Sequence, residues 1–136
     1  MTEDSIPHPQ GELTLKIQAD NRSLNAMGDV FAGWVAMNLD QAGETRARQE
    51  TENARIVTVS IGSMSFIRPV QLGDLIGFYT QVTETGNTSI KIAVEAWIEN
   101  YPFRRKLTET TMTFVAVNRG GRTTRINKRT SDSGVF

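Results

Sequence analysis

Residues 11–19, GELTLKIQA, alternate along the chain: Leu13, Leu15 and Ile17 fall on one side, Thr14, Lys16 and Gln18 on the other. Successive side chains of a strand point to opposite faces, so this period of two predicts a strand with one wet face. The stretch that follows, ADNRSLNAMGD, is rich in turn formers. From Val30 the period lengthens. On a helical wheel Phe31, Val35, Leu39 and Ala42 gather on one side, flanked by Trp34 and Asn38, and polar positions are few until Gln41. The pattern predicts a helix from near Val30 to about Gln49, its early turns enclosed and its last turns, in ETRARQE, exposed.

Past the helix every period reads as sheet. Residues 54–61 and 63–69 are expected to form one long strand bent at Gly62 and stopped by Pro69. Residues 75–85 and 89–100, parted by Gly86 and Asn87, give the clearest hairpin pattern, and a last strand over 105–118 runs into Arg119-Gly120-Gly121. One helix and about five antiparallel strands predict an α+β chain, with one sheet curled around the helix or laid against it. A single domain over residues 11–126 is expected between flexible ends at 1–10 and 127–136.

Composition narrows the chemistry. The 136 residues carry 15 basic and 15 acidic side chains, a formal net charge of zero, which argues against a general nucleic-acid binder. No apolar run approaches the roughly 20 residues that span a bilayer, and the start MTEDSIPHPQ lacks the basic and apolar regions of a leader. A cytoplasmic protein without a membrane partner is expected. There is no cysteine, and His8 is the single histidine. Thiolate nucleophiles, Cys-ligated metals and histidine-based triads are therefore disfavoured, and no metal or cofactor is expected. An enzyme built from this inventory would use a carboxylate as its base.

Asp40 is the carboxylate that stands out, because it interrupts an otherwise apolar helix. It falls opposite Phe31 and Val35, on a face shared with Gly33, Ala36 and, more loosely, Met37. Such a shaved face accepts close approach by a partner strand, another helix or a ligand. Asn25 and Asp29 are both N-cap types and Gly28 permits a tight turn. The first N–H groups of the helix, around Gly33, lack intrahelical acceptors and can meet a developing oxyanion. Gly33 and Asp40 are roughly 10 Å apart along the axis at about 1.5 Å per residue. A small carbonyl does not touch both easily within one chain. On spacing alone Asp40 reads first as a carboxylate hydrogen-bonded to a neighbouring strand or set at a wet boundary, and only second as a catalytic group.

The ordered set NAMGDVFAGW (25–34), DQAG (40–43), RIVTV (55–59), SMSFIRPV (63–70), QLGD (71–74), GNTSI (86–90), EAW (95–97) and TFVAV (113–117) resembles the hot-dog-fold acyl-CoA thioesterases, specifically their short YciA-like group. The likeness runs over roughly residues 12 to 126. It implies a hot-dog fold, a curved antiparallel sheet of about five strands wrapped around one long central helix. It also implies chains paired edge to edge, active sites at the homodimer interface, and assembly of three dimers into a hexamer. The implied reaction is hydrolysis of an acyl-CoA to free CoA and a carboxylic acid. Asp40 is then the catalytic carboxylate, as general base on water or as nucleophile. The amides around Gly33 become oxyanion donors, and Asn25 and Asp29 shape the mouth of the site. The alternative is a non-catalytic acyl-CoA-binding hot-dog protein.

Departures from the group's pattern are Ala32 and Ala42 where glycine pairs are common, Gly62 in place of a larger acidic residue, and Ser65 where Asn is frequent. None removes Asp40. For the phosphates of CoA, Arg68 at a strand end is the leading candidate, with Gly86 and Ser89 of the matched hairpin and Arg119 and Arg122 of the basic run that continues through Arg125, Lys128 and Arg129. Arg104, Arg105 and Lys106 form a second basic cluster.

Overall fold

The computed structural model describes residues 7–52, 55–100 and 102–128. Expectations for residues 1–6 and 129–136, for Arg129 and for the strand start at Ala54 lie outside these. The elements are β1 (Glu12–Gln18), a short 3-10 turn (Asn21–Ser23), α1 (Ala32–Glu50), β2 (Arg55–Ile61), β3 (Leu75–Thr85), β4 (Ser89–Ile98) and β5 (Arg105–Val117). The strands form one sheet in the order β1-β3-β4-β5-β2. Every neighbouring pair is antiparallel. The helix connects the two edge strands, so it crosses one face of the sheet and packs on all five strands.

Binary patterning explains this packing. Along β4, Ile90, Ile92, Val94, Ala96 and Ile98 occupy alternate positions and are all buried, and Met112, Phe114 and Ala116 of β5 continue the same layer. Trp34, Val35, Leu39, Ala42 and Ala47 of α1 close over it. Gly43 sits where the helix approaches most closely: a Cβ there would lie 2.9 Å from the Phe114 ring. The helix is pinned laterally by Arg46, whose Nη1 donates to the Thr80 carbonyl at 2.8 Å while Nε donates to Glu50 at 2.9 Å. The opposite face of the sheet is also part-covered. Trp97 Nε1 donates to Glu95 Oε1 at 2.8 Å, and Arg104 binds Glu99 at 3.0 Å beside Tyr79, whose hydroxyl donates to Glu99.

Three expectations are corrected. Residues 63–69 are not a strand. β2 ends at Ile61, and the chain then follows the β5 edge irregularly, tied by Ile67 N–H to the Leu107 carbonyl at 3.0 Å and Thr108 Oγ1 to the Ser65 carbonyl at 2.7 Å. The last helical turns are not wholly exposed, since Ala47 is fully buried and Arg46 lies against β3. Phe31 does not join the core: it occupies the N-cap position and keeps 37% of its surface.

Candidate active site

The loop before the helix is closed by Asn25. Its Oδ1 accepts from the N–H of Met27 at 2.9 Å and of Asp29 at 3.1 Å, and its own N–H donates to the Asp29 carbonyl at 2.7 Å. Gly28 turns the chain with φ +86°, a value that disfavours any side chain. Asn25 and Asp29 therefore build a turn, and neither caps α1. Phe31 holds the N-cap position and offers no side-chain acceptor, although its N–H donates to the Ser23 carbonyl at 3.1 Å. Among the described residues the N–H groups of Ala32 and Gly33 have no acceptor in the chain. Both residues are exposed. The start of the helix thus presents bare donors and the positive end of its dipole.

Asp40 lies on the open side of α1 with Gly33 and Met37 exposed and Ala36 half-buried, as the wheel predicts. It is itself half-buried. Thr58 of β2 donates from Oγ1 to Asp40 Oδ1 at 2.8 Å, which fixes the carboxylate and leaves Oδ2 for another partner. No period in the sequence pairs Thr58 with Asp40; its only signal is a polar residue on the same strand face as buried Ile56. The helix is regular from Ala32 onward, so the separation of roughly 10 Å between Gly33 and Asp40 stands.

Two adjoining clefts lie beside the helix start. One of about 510 Å³ is lined by Gly28, Asp29, Val30 and residues 69–72; a smaller one of about 100 Å³ reaches Ala32 and Arg68 and shares Val30, Pro69 and Val70 with it. Asp40 lines neither. Arg68 is exposed, and its Nε donates to the Lys106 carbonyl at 2.7 Å, which holds the guanidinium at the rim. Asp29 and Arg68 are thereby brought into one neighbourhood with the helix start.

The other expected phosphate partners are divided. Gly86 lines a separate cleft of about 580 Å³ with Asn87, Arg125 and Lys128, beyond the end of α1. The Ile126 N–H donates to the Asn87 carbonyl at 2.7 Å and so holds the C-terminal segment against the hairpin. Ser89 accepts from the Gly86 N–H through its carbonyl at 2.8 Å. Arg119 and Arg122 are exposed in a turn organised by Asn118 Oδ1, which accepts from Gly120 and Arg122 N–H groups, and they do not line that cleft. Arg125 and Lys128 line it instead. Among the described residues no cluster of three or more His, Cys, Asp or Glu side chains could hold a metal, and no helix is long and apolar enough to cross a membrane.

This arrangement has counterparts. The family model described as the thioesterase superfamily matches residues 27–101. The acyl-CoA thioester hydrolase YciA of Salmonella typhimurium is 38% identical over 119 residues, 84% of this chain and 89% of that one. Among solved structures, HI0827, a hexameric broad specificity acyl-coenzyme A thioesterase, superposes with a TM-score of 0.85 at 34% identity, covering 99% of this chain and 93% of that chain. The hexameric thioesterase y2039 from Yersinia pestis gives 0.82 at 34% identity, covering 90% and 100%. The chain therefore belongs to the thioesterase superfamily, in its hot-dog-fold group of YciA-like acyl-CoA thioester hydrolases.

Proposed function

We propose that this chain hydrolyses acyl-CoA thioesters to CoA and a carboxylic acid, with Asp40 as the general base. The observation that carries the reading is the Thr58–Asp40 hydrogen bond on the open face of the helix. A carboxylate anchored through one oxygen presents the other to a water molecule and takes its proton as that water attacks the thioester carbonyl. The resulting oxyanion needs preorganised donors, and the bare N–H groups at Ala32 and Gly33 are of the right kind. The tetrahedral intermediate then expels the CoA thiolate, and the proton taken up by Asp40 passes to that leaving group, which regenerates the base. Water attack is favoured over attack by Asp40 itself because it needs no second covalent step.

Within one chain the rise of roughly 10 Å between Gly33 and Asp40 makes it hard to bring both devices onto one carbonyl. The unpaired edge of β2 supplies the remedy. Val59 and Ile61 on it are 55% and 49% exposed, and Met37 on the flank of the helix is 59% exposed. A second copy paired along β2 covers these apolar groups and brings its own helix start toward Asp40. Three such dimers would give the hexamer named for the Yersinia and HI0827 enzymes. Arg68 is the proposed first contact for the CoA phosphates, with Gly86, Ser89, Arg119 and Arg122 as further contacts and Asn25 and Asp29 at the mouth.

The test is thiol release from a panel of acyl-CoAs by wild type and Asp40→Asn. Loss of a general base lowers kcat by about 10²- to 10⁴-fold, and the variant is expected to keep its assembly and its affinity for CoA. Unchanged turnover in the variant removes Asp40 from the chemistry. Wild type that binds acyl-CoA without cleaving it leaves a binding protein instead.

A further inference from the structure

The flank of α1 that faces β1 carries two polar groups that the proposed chemistry does not use. Trp34 and Asn38 lie one turn apart there and are 6% and 3% exposed. Asn38 donates from Nδ2 to the Trp34 carbonyl at 2.8 Å, which fixes the amide and turns Oδ1 away from the helix backbone. Among the described residues Oδ1 then has no donor, and the Trp34 indole N–H has no acceptor. Neither is sealed in, since among those residues Thr110 Oγ1 alone is a fully buried side-chain N or O without a partner. Trp34 and Asn38 line the same cleft, shared with Ile17 of β1 and with Phe31. We infer that this cleft binds an adenine base, carried by CoA or by a free adenine nucleotide.

Buried indole and amide groups ordinarily find partners, so a donor and an acceptor left bare side by side call for a ligand edge that offers an acceptor beside a donor. The ring nitrogen N7 and the exocyclic amino group of adenine are such an edge. A water molecule would satisfy both polar atoms and leave the rest of the lining bare. That lining is apolar: Ile17 is half-buried, and Phe31, 37% exposed, offers a ring on which a base stacks. The rim charges cancel, because Asp20 and Arg22 pair at 2.7 Å, which suits a neutral base better than a phosphate. Access survives pairing through β2, since β1 and β2 are opposite edges of the sheet. The choice of adenine among the bases rests on the hydrolase reading, because CoA carries that base.

Calorimetric titration of wild type, Asn38→Leu and Phe31→Leu with AMP, CoA and phosphopantetheine, which lacks the base, tests the inference. Asn38→Leu keeps the side-chain size and removes the acceptor. Phe31→Leu changes a part-exposed position that the core does not need. Each is expected to weaken an adenine-bearing ligand about ten-fold and to leave phosphopantetheine unchanged. If the base is that of CoA, KM for acyl-CoA rises by the same factor in both variants and KM for acyl-phosphopantetheine does not. If it is that of a free nucleotide, AMP binds wild type already saturated with CoA, and the variants lose AMP alone. Affinities for AMP and CoA that neither variant changes overturn the inference, as does an equal loss for phosphopantetheine or a wild type that binds neither AMP nor CoA. Thiol release is read separately: a chain that binds adenine through Asn38 and cleaves no acyl-CoA keeps this site and loses the hydrolase reading.

Discussion

The two faces of α1 follow different rules. On one, Val35, Leu39, Ala42 and Ala47 are almost completely withdrawn from water and Gly43 lets the backbone come down on Phe114. Burial of a leucine there contributes about 2 kcal/mol, and nothing on that face awaits a partner. On the other, Gly33 and Met37 face solvent and Asp40 is held by a single hydrogen bond from an edge strand. The first face is finished within the chain. The second has donors at one end, a carboxylate in the middle, and a distance between them that one small substrate group does not bridge. On the proposed reading, the difference separates what folds the chain from what a second copy and a ligand complete.

Breaking the finished face should act on stability alone. Leu39→Ala removes a fully buried side chain, and the expected loss is about 2–5 kcal/mol in denaturant unfolding. Below the melting range, the surviving folded enzyme should retain its kcat. A variant as stable as wild type would mean that the helix is not seated on the sheet as described.

The far side of the sheet offers a control that leaves both faces untouched. Burial, then the hydrogen bond and negative charge of Glu99, push the Tyr79 phenol up to about 12, with Arg104 pulling the other way. The fold prefers the neutral phenol, so the stability it contributes is whole below about pH 10 and is lost as pH rises toward about 12. Two pH units at about 1.4 kcal/mol each set an upper bound of about 3 kcal/mol on the loss, less any solvent screening, and Tyr79→Phe should flatten it. A pH-independent stability across that window would contradict the assignment.

On the open face, Thr58→Val deletes the donor to Asp40 while keeping the side-chain shape. A hydrogen bond to a charged group is worth about 1.5–3 kcal/mol, and since part of it persists through water, the expected fall in kcat is about ten-fold. Thr58→Ser should restore most of it. A fall in stability without a fall in kcat would assign Thr58 to packing.

Much of this was legible from the sequence. The helix and the strands at 12–18, 75–85, 89–98 and 105–117 follow from the periods, because each has one face on a common apolar layer. Residues 63–69 misled because Met64 and Phe66 alternate with serines as in a strand, whereas Ser65 and Ile67 are tied to β5 one at a time instead of through a ladder. Arg46 reads as solvent-facing because its neighbours are charged; its hydrogen bond to Thr80 depends on a strand that lies 34 residues away. Asp40 was visible as a carboxylate on a small-residue face, yet its partner on β2 was not, since periodicity says which face a residue takes and not which two faces meet. For the same reason the separation of Arg119 and Arg122 from the cleft at Gly86 appears only once the turn at Asn118 is folded.

The central claim is that Asp40 of one chain works with the helix start of its partner. Subunit complementation tests it most directly. Asp40→Asn removes the base, and Gly33→Pro removes one N–H donor at a first-turn position where proline is tolerated. Each variant alone should release little thiol. Co-expressed in equal amounts they pair at random, and a shared site predicts recovery of about a quarter of wild-type activity, since half the dimers are mixed and each holds one intact site. No recovery from folded, mixed assemblies would place base and donors in the same chain and contradict the account.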